Sequence, residues 1–175
     1  ITIAGDSEDN LCVKAYRLME KKYAIPPVSI YLRKIIPMGA GLGGGSADAS
    51  YVVKGLVALF NLGISEDEQR ELVAQLGSDC PFFIFNEACH ATGRGEILEP
   101  TSIDLSSYTI ALVHPGIHIA TAWAFQQLSP CVKEKSIATI IKQPMNTWKS
   151  ELINDFEKLL ERQVKKKQPK SNDIW

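Results

Sequence analysis

Pro37-Met38-Gly39-Ala40-Gly41-Leu42-Gly43-Gly44-Gly45-Ser46-Ala47-Asp48-Ala49-Ser50 contains five of the chain's twelve glycines between positions 39 and 45. The run before it, Val28 to Ile36, alternates apolar and polar residues and then turns fully apolar, which predicts a strand. The run after it places Ala49, Val52, Val53, Leu56, Val57 and Phe60 on one apolar helical face. The glycines are therefore expected to form a loop between a strand and a helix N-terminus. Glycine tolerates positive φ and lets backbone approach a ligand closely. Successive N–H groups can then line one concavity, and the helix adds its unpaired N–H groups and the positive end of its dipole. Phosphate is the guest that such a loop suits.

Three kinds of glycine-rich loop compete for this stretch. A Walker A loop ends in Gly-Lys-Ser/Thr, whereas Gly45 runs directly into Ser46 without a lysine. The dinucleotide pattern G-x-G-x-x-G matches at Gly39, Gly41 and Gly44 but requires a second strand ending in an acidic residue. Here Asn61-Leu62-Gly63 closes the helix and Ser65 opens another. The third kind is the P-x-G-x-G-L-G loop of the small-molecule kinases that include galactokinase, homoserine kinase and mevalonate kinase. Pro37 to Ser46 resembles that signature. The triple glycine before Ser-x-Asp-Ala is most similar to the branch of the family that acts on 4-diphosphocytidyl-2-C-methyl-D-erythritol.

Other segments carry the same resemblance. Leu76-Gly77-Ser78-Asp79-Cys80-Pro81-Phe82-Phe83 resembles the family segment that bears the catalytic aspartate. An Asp before x-Pro is often a turn former. A lone carboxylate between small and apolar residues is also where partial desolvation can prepare a general base. The resemblance favours Asp79 as that base. Asp9-Asn10-Leu11 resembles an element near the adenine, and Lys34 falls where a family lysine lies at the nucleotide. Asn10 reads equally as a helix cap and Lys34 as a solvated strand lysine. Ala91-Thr92-Gly93-Arg94-Gly95-Glu96 resembles a substrate-side segment, with Gly93 and Gly95 allowing close backbone approach; a plain hairpin is the alternative. His114-Pro115-Gly116 through Thr121 resembles an element whose threonine region contacts substrate, and Thr121 also suits a helix cap.

The rest of the chain reads from local signals. Ile1 to Ala4 is expected to be a strand, and Asp6 or Ser7 to cap a helix whose apolar face is Leu11, Ala15, Leu18 and Met19. Ser65 with Glu68 forms a capping box for a helix reaching Leu76 and ended by Gly77. Phe82–Phe85, Cys89–Thr92 and Glu96–Leu98 are expected as strands of a meander, Tyr108–Val113 as a buried strand, and Ser136–Ile141 as a helix. From Gln163 a lysine-rich stretch is expected to be a solvated tail.

Length and composition bound the rest. A chain of 175 residues is one domain, or one and part of another. Its 45% hydrophobic and 22% charged content can build a buried core. A net charge of −1 gives no footprint for nucleic acid or an anionic membrane surface. No run approaches the ~20 apolar residues of a membrane span. Cys12, Cys80, Cys89 and Cys131 form no C-x-x-C pair, and Cys12 and Cys80 read as buried thiols of a reducing compartment.

The resemblance covers about Asp9 to Phe156, including an Asn154-Asp155-Phe156 element. Two family elements do not occur in these residues: an N-terminal Lys-Ile-Asn segment, whose lysine pairs with the catalytic aspartate, and a C-terminal glycine-rich motif. The expectation is an interior piece of a longer kinase, or a chain lacking some segments. The implied fold is α+β. Residues 1–113 would be an ATP-binding N-terminal kinase domain of the ribosomal protein S5 domain 2-like type. Residues 114–175 would begin a ferredoxin-like substrate domain. The implied reaction is phosphoryl transfer from ATP, with Mg²⁺, to the 2-hydroxyl of 4-diphosphocytidyl-2-C-methyl-D-erythritol. Pro37, Gly39, Ala40, Gly41, Leu42, Gly43, Gly44, Gly45 and Ser46 would hold the phosphates, with the Ser46 hydroxyl a contact to Mg²⁺. The expected location is cytoplasmic in a bacterial-type cell, or a plastid. A homoserine or mevalonate-type kinase and a non-catalytic nucleotide-binding module are the alternatives.

Overall fold

The computed structural model describes residues 7–36, 41–112, 121–128 and 135–157. The chain divides into two units, Ile1–Asp104 and Leu105–Trp175. The fold is α+β.

The first unit is built on four helices, α1 (Leu11–Tyr23), α2 (Gly44–Leu59), α3 (Glu66–Ala74) and α4 (Cys80–Phe85). Asn10 caps α1, its amide oxygen accepting from the Cys12 N–H at 2.9 Å, so the cap lies later than the expected Asp6 or Ser7. Ala24 ends α1 in a left-handed conformation at φ 49°, its N–H bonded to the Glu20 carbonyl. Ser65 caps α3 as expected, accepting from the Glu68 N–H at 3.2 Å. The Glu68 carboxylate turns to α1, where it accepts from Lys22 Nζ at 2.9 Å and the Tyr23 hydroxyl at 2.7 Å.

Helix α2 packs against both α1 and α4, and α4 packs against α3. The core follows the predicted periodicities. Ala15, Tyr16 and Met19 of α1 meet Ala49, Val53 and Leu56 of α2, Leu72 and Val73 of α3, and Cys80 and Ile84 of α4. Val52, Val57 and Phe60 complete the apolar face of α2 as partly buried neighbours. A two-stranded antiparallel hairpin follows, β1 (Cys89–Thr92) and β2 (Ile97–Pro100), with Thr92 opposite Ile97 and Cys89 opposite Pro100.

Three expected strands are not strands. Phe82–Phe85 lies in α4, because Pro81 suits the first turn of a helix and the run presents Cys80, Pro81 and Ile84 to the core at helical spacing. The expected meander is therefore a two-stranded hairpin. Val28–Ile36 has no strand partner among the described residues, and Ile30, Tyr31, Ile35 and Ile36 face solvent. Alternation makes a strand only where a neighbour supplies the ladder. Tyr108, Ile110 and Leu112 are likewise exposed, in irregular backbone. Residues 1–4, Val113, Cys131 and the lysine-rich tail lie outside the described residues.

In the second unit, α5 (Thr121–Gln126), α6 (Ile137–Ile140) and α7 (Trp148–Glu151) are short. Ser136 caps α6, accepting from the Thr139 N–H at 3.2 Å. Ala124 and Ile140 are buried, and Trp148 Nε1 donates to the Gln143 carbonyl at 3.0 Å. Among the described residues, no helix is long and apolar enough to cross a membrane.

Candidate phosphate-binding and catalytic site

The glycine stretch does begin a helix. Gly41 and Gly43 take positive φ, +71° and +64°, and Gly43 is the N-cap of α2 without a side-chain hydrogen bond. The first N–H groups of α2 therefore have no side-chain cap. Three neighbours crowd this start. A Cβ on Gly43 would sit 2.8 Å from Phe83 Cζ, one on Gly44 3.3 Å from Lys34 Nζ, and one on Gly45 3.6 Å from Leu11 Cδ1. Leu11 is the first residue of α1, so the positive ends of two helices lie close together, with an ammonium beside them. That combination favours an anion.

Lys34 is not a solvated strand lysine. Its side chain is 7% exposed and ion-paired with Asp48 of α2. Nearby, burial foremost and then the Asp48 charge push the Cys12 thiol above its ordinary value, while Lys34 pulls it partly back.

Asp79 stands in the turn before α4 and is exposed, which corrects the expectation of a partly desolvated carboxylate. The reason is the helix that replaces the expected strand: α4 buries Cys80, Pro81 and Ile84 and leaves the preceding turn at the surface. The residue after Asp79 joins this segment to the glycine loop. Burial raises the Cys80 thiol, hydrogen bonding with Ser46 and then Ser50 draws it partly down, and the Asp79 charge adds to the rise. The Ser50 hydroxyl also donates to the Cys80 carbonyl. On the other side stands the hairpin turn. Gly95, at φ +112°, would place a Cβ 3.5 Å from Asp79 Oδ1 and 3.9 Å from the Ser78 carbonyl oxygen. The turn is held by Glu96, whose carboxylate accepts from the Arg94 N–H at 2.7 Å. Hydrogen bonds from its own N–H and from that of Arg94 hold the Glu96 carboxyl below its ordinary range. Glu96 Oε1 also lies 3.0 Å from where a Gly93 Cβ would be.

The structure thus brings together Gly43, Gly44, Gly45, Ser46, Lys34, Asp79 and Gly95 in the first unit, with Asn10 at the adjoining start of α1. Gly41 and Leu42 are exposed in the bend before α2. Pro37, Gly39 and Ala40 lie outside the described residues, as does His114. Thr121 opens α5 in the second unit. Sequence reasoning missed Asp48, Ser50, Cys80 and Phe83 as supports. The signal for Asp48 was available: it stands four residues after Gly44, on the same helical face. Among the described residues, no group of three or more His, Cys, Asp or Glu side chains could hold a metal ion.

Residues 10–87 match the family model of the GHMP kinases N terminal domain. A 4-diphosphocytidyl-2-C-methyl-D-erythritol kinase of Bacteroides fragilis is 46% identical over 90% of this chain and 58% of its own length. The corresponding kinase of Cytophaga hutchinsonii is 46% identical over 89% of this chain and 58% of its own. That of Thermodesulfovibrio yellowstonii is 34% identical over 96% and 49%. A crystal structure of 4-(cytidine 5'-diphospho)-2C-methyl-D-erythritol kinase superposes with a TM-score of 0.58 at 32% identity, covering 73% of this chain and 46% of that one. The chain spans a little over half the length of the curated relatives it matches. On the matched family model, residues 10–87 carry the N-terminal domain of the GHMP kinases.

Proposed function

We propose that the chain carries the nucleotide-binding half of a kinase that moves the terminal phosphoryl group of ATP to the 2-hydroxyl of 4-diphosphocytidyl-2-C-methyl-D-erythritol. One observation carries the reading: the Ser50 hydroxyl of α2 donates to the Cys80 carbonyl, so the turn that bears the candidate base packs on the helix that begins at the glycine loop. In phosphoryl transfer most catalysis is positioning and charge stabilisation, which rigid neighbours provide.

The roles follow from placement. The N–H groups of Gly39 to Ser46 hold the phosphates at the start of α2, and Pro37 leads the chain into that loop. Lys34 adds a positive charge beside Gly44, and Asn10 stands on the adenine side. Asp79, open to solvent, accepts the proton of the acceptor hydroxyl. Gly93 and Gly95 let the hairpin turn approach the acceptor. A Mg²⁺ ion would be held largely by phosphate oxygens and water, with the Ser46 hydroxyl as its contact from this chain. When bound, that ion neutralises charge on the phosphate oxygens. The relatives are bacterial, and a bacterial cytoplasm, with its ATP and reduced thiols, fits the free Cys12, Cys80 and Cys89.

The test is ADP formation by the purified chain with ATP, Mg²⁺ and each of three acceptors: the cytidine-linked substrate, homoserine and mevalonate. Turnover is expected only with the first, and Asp79→Asn should lower kcat by about 10²-fold or more. Turnover with another acceptor, or an unaffected Asp79→Asn, overturns the assignment. ATP binding with no turnover favours a nucleotide-binding module instead.

A further inference from the structure

We propose that Asp48 is a positioning residue for phosphate binding: it holds the Lys34 ammonium against the first turn of α2, in place for the phosphates. The inference rests on the phosphate-loop reading above. Gly44 and Asp48 are four residues apart on α2, so they share one face of the helix, and side chains lean toward the helix N-terminus. The Asp48 carboxylate therefore reaches back toward Gly44. Lys34 comes from a separate segment and lies over that face, its Nζ paired with Asp48 and 3.3 Å from where a Gly44 Cβ would be. A Cβ there would press on the ammonium.

The arrangement is electrostatically unusual. A nearly buried ammonium at the positive end of a helix is unfavourable on both counts. One carboxylate offsets part of that. An ammonium has three donors. Among the described residues, its hydrogen-bond partner is Asp48. A long, flexible lysine held at one donor by a carboxylate is a fixed charge rather than a mobile one. Anions that reach the loop then meet an ammonium already in place.

Simple Coulomb repulsion makes the opposite forecast, because removing a negative charge should strengthen anion binding. The two ideas therefore separate cleanly. Calorimetric titration of the full chain with ATP and with adenosine, which lacks phosphates, would decide. Asp48→Ala should weaken ATP binding about tenfold or more, as loss of a supporting partner commonly does, and leave adenosine unchanged. Asp48→Asn, which keeps an acceptor, should restore most of the ATP affinity. If Asp48→Ala leaves a buried charge and does not fold, the pair Lys34→Met with Asp48→Leu removes both charges at similar volume. Its ATP affinity should not fall below that of Lys34→Met alone, because Asp48 supports binding only through the lysine. Tighter ATP binding in Asp48→Asn overturns the proposal, as does an equal loss for ATP and adenosine. A wild-type chain that binds adenosine but not ATP overturns the phosphate-loop reading, and the proposal with it.

Discussion

The Ser50 hydroxyl on α2 donates to the backbone carbonyl of Cys80, 2.8 Å away, and Ser50 has no exposed surface. This bond fixes the distance between the helix that begins at the glycine loop and the residue after Asp79. A buried hydroxyl requires such a partner. Ser50→Ala should lower unfolding free energy by about 1 kcal/mol, the net value of a typical hydrogen bond. It should also lower turnover more than a surface variant of equal stability does, because Asp79 moves with Cys80. Urea unfolding beside kcat measures both. A stability loss with unchanged kcat would confine Ser50 to packing.

The close approach of Phe83 to Gly43 predicts a two-part penalty. Gly43 sits at φ +64°, and an added Cβ would meet Phe83 Cζ at 2.8 Å. Left-handed backbone disfavours a side chain by about 1–2 kcal/mol. The contact adds to this, although the ring can shift. Gly43→Ala should therefore destabilise the first unit and weaken ATP binding. In a Phe83→Leu background the steric part should disappear and the backbone part remain. A double-mutant cycle in urea reads the difference. Full recovery in that background would mean that backbone strain at Gly43 is negligible.

These supports mark the limit of sequence reading. Helices α1, α2 and α3 were legible because their apolar residues recur at helical spacing and Ser65 announces a cap. The glycine loop was legible because five glycines in seven residues have few structural reasons to occur together. The hairpin at Gly93–Gly95 was legible from its turn residues. The 28–36 strand was misread because alternation reports a favourable surface, while a strand also needs a neighbour. Helix α4 was misread because Phe82, Phe83 and Phe85 favour strands, although Pro81 at a helix start signals the opposite. Cys80 went unread as a link, because only packing brings Ser46, Ser50 and Asp79 around it.

The α1–α3 contact predicts a pH dependence. Hydrogen bonds from Lys22 foremost, and then Tyr23, hold the Glu68 carboxyl below its ordinary value. A group with a lowered folded pKa contributes stability in full above its unfolded value, about 4.3 for Glu. The contribution is lost as pH falls through the lower folded value. Urea midpoints of the wild type should therefore fall through this acidic window. Those of Glu68→Gln should fall less steeply and meet the wild type at the acid end. The effect should be small and shrink with salt, since Glu68 is partly exposed. Parallel curves for the two proteins would show that the Lys22–Tyr23–Glu68 contact contributes nothing to stability.

The hairpin turn offers a test confined to the acceptor side. Gly95 adopts φ +112°, which disfavours any side chain, and its Cβ position lies 3.5 Å from Asp79 Oδ1. Gly95→Ala should strain the turn, and Gly95→Val should also crowd the carboxylate. Neither touches the start of α2. Turnover should fall in the order wild type, Ala, Val, while ATP affinity stays within about twofold, since interactions made with the reacting group affect kcat and not nucleotide binding. Steady-state kinetics with a parallel ATP titration checks this order. Equal loss of ATP affinity in both variants would place the turn on the nucleotide rather than beside the acceptor.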